Sequence, residues 1–141
     1  MTSNSSRLDW LLDDLVKRLA RVRYAVVLST DGLLLGKSGT MSVEDAEHFS
    51  AMSSALQSLA RSAGARFEGG QMLQTVVELE HAVLFVTSAG DNACLALLSE
   101  SGASMGTVAY EMNQTVIRLG ELLSTTKRRG LFEPQVGPLP S

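Results

Sequence analysis

The chain has little of what most enzymes and secreted proteins rely on. It is 141 residues long and has one cysteine, Cys94. No intramolecular disulfide can form, and a reducing cytoplasm is the simplest setting. No stretch approaches the roughly 18 consecutive apolar residues of a membrane span. The N-terminal Met-Thr-Ser-Asn-Ser-Ser is polar and lacks the apolar run of a secretory signal. Positive charge is missing from a long interval, with no Lys or Arg between Arg66 and Arg118. That interval carries Glu68, Glu78, Glu80, Asp91, Glu100 and Glu111, and the net charge is −3. Nucleic acid, which demands clustered cations, is not an expected partner. The acidic interval reads either as a solvated face or as a surface that meets a basic partner.

Catalytic constellations are absent too. His48 and His81 are far apart, and neither has a metal-like partner at close spacing. Cys94 lies among apolar neighbours, as small unreactive core cysteines do. Gly36-Lys37-Ser38 resembles the end of a phosphate loop, but no glycine stands five residues before Gly36. The glycines of 64–70 lack that ending altogether. No catalytic, cofactor-binding or metal-binding residue is nominated, and no cofactor is expected. Trp10 and Tyr110 are single aromatics on helices, suited to core packing or an interface rim.

What is present is a clear order of elements. Hydrophobic residues make up 45% of the chain, ample for one core. Leu8, Leu11, Leu12, Leu15 and Leu19 recur at helical spacing over 7–21, with Ser5 or Ser6 placed to cap the start. Tyr24 to Gly39 holds two apolar runs around Asp31-Gly32, a hairpin with strands near 24–29 and 33–37. A second helix is expected over 43–64, capped by Ser42 and stopped at Gly64. From Phe49 to Ala60 it has no charged residue. Ala46, Phe49, Met52, Leu56, Leu59 and Ala63 form its apolar face, and the other sides are small. A small uncharged face admits close approach by another backbone, or else the helix is buried all round within its own domain. Three strands follow, with Leu73, Thr75, Val77 and Leu79 alternating in the first, then 83–87 and 93–98. Their short connections make a meander. The last helix is expected over 103–126, closed by Lys127-Arg128-Arg129 and stopped at Gly130. The domain is therefore 7–129, between a flexible N-terminus at 1–6 and a disordered Pro-containing tail at 130–141. The order α-β-β-α-β-β-β-α predicts an α/β (α+β) sandwich, one five-stranded antiparallel sheet with helices on both faces.

These residues resemble the roadblock / dynein light chain family, specifically its stand-alone bacterial members. The likeness covers about 7–126. Its carriers are Val26-Val-Leu-Ser-Thr-Asp-Gly-Leu-Leu-Leu-Gly, the small-residue helix 43–64, the meander ending in Ala96-Leu-Leu and the amphipathic last helix. The resemblance implies a profilin-like fold with sheet order 2-1-5-4-3. It implies a homodimer in which third strands pair and second helices pack. It also implies a cytoplasmic, non-enzymatic regulator or scaffold of a small Ras-like GTPase, accompanied in actinobacteria by a sensor kinase-like protein. The expected dimer residues are Ser50, Ala51, Ser54, Ala55, Ser58, Met72, Gln74 and Val76. No arginine is nominated as a finger, since Arg66, Arg128 and Arg129 lie near helix ends. The alternative function is a small-ligand sensor module of a signalling system, which would need a cavity lined with a few polar groups.

Overall fold

A computed structural model describes the backbone of residues 3–136 and the side chains of 7–123. The elements are α1 (Ser3–Arg18), β1 (Val22–Ser29), β2 (Leu34–Lys37), α2 (Val43–Arg66), β3 (Gln74–Glu78), β4 (Ala82–Ser88), β5 (Ala93–Glu100) and α3 (Met105–Val136). All five strands form one antiparallel sheet in the order β2-β1-β5-β4-β3. This is the predicted fold class and strand order.

Two apolar layers hold the sheet. On one face Ala25, Val27, Phe85, Leu95 and Leu97 pack against Leu8, Leu12 and Leu15 of α1 and Val108, Met112 and Leu119 of α3. On the other face Val26, Leu28, Leu84, Val86 and Ala96 pack against Ala46 and Phe49 of α2. Alternate residues of β1, β4 and β5 therefore serve both layers, so these strands read as continuous apolar runs. Each fully buried aliphatic side chain contributes about 1.5–3 kcal/mol.

Several boundaries differ from the sequence reading. α1 begins at Ser3, so Ser5 and Ser6 lie inside the helix rather than capping it. α2 runs past Gly64 to Arg66. Gly64 is needed for a different reason: a Cβ there would lie 2.1 Å from the Gly70 carbonyl oxygen. The 67–70 loop folds back onto the helix end, where the Gly64 carbonyl accepts from the Gly69 and Gly70 amides at 2.8 and 3.2 Å. α3 continues through Gly130 to Val136, because one glycine costs a helix only about 1 kcal/mol. Residues 1–2 and 137–141, the outer parts of the expected flexible N-terminus and tail, lie outside the described residues. So do the side chains of Lys127, Arg128 and Arg129. Ser42 caps α2 as expected, its Oγ accepting from the Asp45 amide at 3.1 Å.

The hairpin turn is a three-residue loop, Thr30-Asp31-Gly32, between Ser29 and Leu33. The Ser29 amide donates to the Leu33 carbonyl at 2.8 Å, and the Gly32 amide donates to Ser29 at 2.9 Å. Gly32 has φ 96°, the left-handed residue this loop needs.

The two edges of the sheet are treated differently. At the β2 edge, Asp9 Oδ1 accepts from the Lys37 amide at 2.9 Å, and Asp13 Oδ1 accepts from the Gly39 amide at 2.6 Å. Two carboxylates of α1 thus occupy donors that an outer strand would otherwise offer to another chain. β3, at the far edge, pairs only with β4 among the described residues.

Asp9→Ala leaves the part-buried Lys37 amide without its acceptor and is expected to cost about 1–3 kcal/mol, while Asp13→Ala frees the exposed Gly39 amide to water and is expected to cost less, about 0.5–1.5 kcal/mol. Urea unfolding checks this through the midpoint, with the slope unchanged.

Candidate functional site

The surface around the open β3 edge is set by how α2 is seated. Its buried residues are Ala46, Phe49, Ser50, Ser53 and Gln57, with Leu56 partly buried. Met52 and Leu59, expected on the core face, are 54% and 68% exposed. The helix is therefore rotated from the expected orientation, with its small polar side toward the sheet. Ser50 Oγ and Ser53 Oγ have no hydrogen-bond partner there.

The reason is the hairpin turn. Ser54 Oγ donates to the Thr30 carbonyl at 2.9 Å. A Cβ built on Gly32 would lie 3.5 Å from Ser54 Cβ and 3.9 Å from Ala51 Cα. The small flank of α2 does receive another backbone closely, but it is this chain's own 30–32 loop. Ser50 is fully buried on the sheet, while Ser54 and Ala51 abut the hairpin. Ala55 and Ser58 are exposed. At about 100° per residue, Met52 and Leu59 lie roughly opposite Ser54, away from the hairpin.

Strand β3 supplies a matching stripe. Cross-strand partners share a face. Thr75 pairs with Val86 and Val77 with Leu84, placing both on the α2 side. Gln74 and Val76 pair with Thr87 and Phe85, placing them on the α1/α3 side. Leu73 and Leu79, flanking β3, are 81% and 56% exposed. Gln74 and Val76 are exposed, and Met72 is partly buried. Exposed apolar groups on α2 and around β3 thus accompany an unpaired strand edge, and such patches mark interaction sites.

Near the C-terminal end of α2 lies an open hollow of about 790 Å³, lined by Gln57, Arg61, Gly64, Gly70, Thr87 and Asp91 among others. A second hollow of about 400 Å³ shares Arg61 and Ala65 with it and reaches Thr30. Gln57 is 3% exposed, and its Oε1 accepts from the Cys94 thiol. Burial pushes the Cys94 thiol up, against smaller opposing effects of Arg61 and of the Gln57 hydrogen bond. Buried and neutral, it is a core group rather than a nucleophile.

On the opposite face, Arg18 bridges Asp14 and Glu111, and Arg118 lies 3.5 Å from Asp14 and 5.9 Å from the centre of the Trp10 ring. Trp10 and Tyr110 are 62% and 60% exposed and are not core. His81 faces Glu80 at 3.7 Å, both almost fully exposed. Among the described residues, no group of His, Cys, Asp or Glu could hold a metal, and no helix is long and apolar enough to cross a membrane.

The Roadblock/LC7 domain family model matches residues 8–99. A Roadblock/LC7 domain from Streptomyces avermitilis is 42% identical, with 83% of this chain and 98% of that chain covered, at a TM-score of 0.80. MglB from Myxococcus xanthus superposes at a TM-score of 0.77 with 12% identity, covering 89% of this chain and 93% of that one. Profilin II from Acanthamoeba castellanii superposes at 0.56 with 14% identity, covering 81% and 97%. These last two likenesses are of fold. A comparison with curated proteins finds no significant match.

Ser54→Arg is expected to destabilise the fold by about 1–3 kcal/mol, because it forces a long cation between α2 and the hairpin. Thermal unfolding reads the loss. A variant as stable as the parent would contradict the seat described for α2.

Proposed function

The chain belongs to the Roadblock/LC7 domain family, and from that premise we propose that it is a non-enzymatic homodimeric adaptor that binds and regulates a cognate small Ras-like GTPase in a signalling complex. The observation that carries the reading is the asymmetry of the sheet edges: carboxylates of α1 occupy the β2 edge, while β3 offers an unpaired ladder beside exposed apolar side chains. Pairing β3 with its copy satisfies the ladder and makes the sheet continuous across a two-fold axis. Met52 and Leu59 of α2, with Leu73 and Leu79, are the side chains such a copy would cover. Ala55 flanks the contact, while Ser58 stands on the hairpin side near Thr30. Met72, Gln74 and Val76 join through the strand backbone. An interface of this type buries about 1,600 Å² or more in total.

The GTPase follows from the family resemblance. The interval without Lys or Arg supports a partner with a basic face. With no arginine nominated as a finger, any effect on hydrolysis is exerted by positioning the GTPase's own residues. A sensor kinase-like protein is a further partner of the same complex, and the working compartment is the cytoplasm. The adaptor reading rests on the family, whose members the resemblance describes as regulators or scaffolds.

The expected behaviour is a dimer at micromolar concentration by analytical ultracentrifugation. Met52→Glu and Leu59→Glu each shift it to monomer with the fold retained by circular dichroism, because both positions are exposed in the single chain. A monomeric parent protein would refute the dimer. Co-purification with a Ras-like GTPase encoded beside it, loaded with GTP or GDP, tests the partner, and binding in neither state sinks it.

A further inference from the structure

The hollow at the C-terminal end of α2 adjoins the proposed interface and shares Met72 and Leu73 with it, but its charged and amide groups are not used there. Its volume, about 790 Å³, falls in the range of small-molecule sites, roughly 300–1,000 Å³. Three polar groups on it are unspent. Arg61 forms no ion pair with any described carboxylate, and Asp91 forms none with any described cation. The two line the same hollow without bridging each other. Gln57, 97% buried by its 3% exposure, uses one end of its amide on the Cys94 thiol. The other end has no partner among the described residues. The free end lines the hollow, where a ligand group can take the place of water on it.

A guanidinium, a carboxylate and an amide around one hollow define a charge pattern. A simple anion would satisfy Arg61 and oppose Asp91, and a simple cation would do the reverse. We propose that this hollow binds a small zwitterion of the amino-acid class, with its carboxylate on Arg61, its ammonium on Asp91 and its polar backbone atoms toward Gln57. The guanidinium fork suits a carboxylate held by two parallel hydrogen bonds. The loop that walls the hollow is fixed in place: Thr87 Oγ1 donates to the Leu73 carbonyl at 3.0 Å, and the Gly64 carbonyl holds the Gly69 and Gly70 amides. The site is thus built before the ligand arrives.

Isothermal titration of the full chain with a panel of free α-amino acids, succinate and inorganic phosphate tests this. At least one amino acid is expected to bind with a Kd of about 1 mM or tighter. Arg61→Gln and Asp91→Asn, both exposed positions, should each weaken it about tenfold, and Gln57→Met should weaken it with the circular dichroism spectrum retained. No heat from any amino acid at about 10 mM, a tenfold excess over that weakest Kd, overturns the proposal. So does binding of succinate or phosphate alone, or equal binding to parent and variants. Sedimentation in the same samples reports the dimer separately, so failure of this site and failure of the dimer are distinguishable.

Discussion

Asp9 and Asp13 accept the backbone N–H groups of Lys37, in the outer strand, and of Gly39, just beyond it, through hydrogen bonds of 2.9 and 2.6 Å, and much of the molecule's polarity follows from that contact. A sheet with two open edges could grow in either direction. Side chains of α1 block one direction, which leaves β3 as the end at which another chain can add. α1 is also clamped down by the bulk of Leu8, Leu12 and Leu15 on the sheet. The same helix therefore builds one core layer and decides which edge is available. Hydrogen bonds to ionised acceptors are the stronger kind, and leaving their donors unmet is costly.

The second constraint is the seat of α2. A helix with a bulky stripe and a small stripe has to choose which to bury. Burying Met52 and Leu59 would yield more apolar area. It would also turn Ala51 and Ser54 away from the 30–32 loop, removing the Ser54–Thr30 hydrogen bond and the close contact at Gly32. The observed choice leaves Ser50 and Ser53 hydroxyls unpaired on the sheet, a cost of order 1–3 kcal/mol each on burial. A fold that accepts this, and leaves Met52 and Leu59 in water, is not optimised as a single chain. The exposed stripe makes sense when a partner covers it.

The element order and Ser42 cap were legible in the sequence because each rests on local patterning, whereas the strand order came only with the family resemblance. The apolar periodicity of α1, the Asp31-Gly32 turn and the alternation over 73–79 all act within a few residues. The family resemblance likewise spans the residues the Roadblock/LC7 model matches. What was not legible was rotational. Helical periodicity finds two faces on α2 but does not say which meets the sheet when one is apolar and the other small. The deciding contact joins Ser54 to Thr30, distant in sequence. Gly64 misled for a similar reason: a glycine beside a helix end reads as a stop, while its role is to admit the Gly70 carbonyl. The one signal toward the α2 hollow was Gln57, a lone amide in a run otherwise small and apolar, followed by Arg61 as the first charge.

The buried small residues of α2 and its exposed apolar stripe are then two results of one arrangement. Seating the hairpin turn on Ala51 and Ser54 fixes the rotation of α2. That rotation directs Met52 and Leu59 outward, on the side away from the hairpin. β2 is at one edge of the sheet and β3 is at the other. The Thr30-Asp31-Gly32 loop carries no chemistry. It nonetheless determines which side chains of α2 are left in water, because α2 can meet the hairpin closely with only one of its flanks.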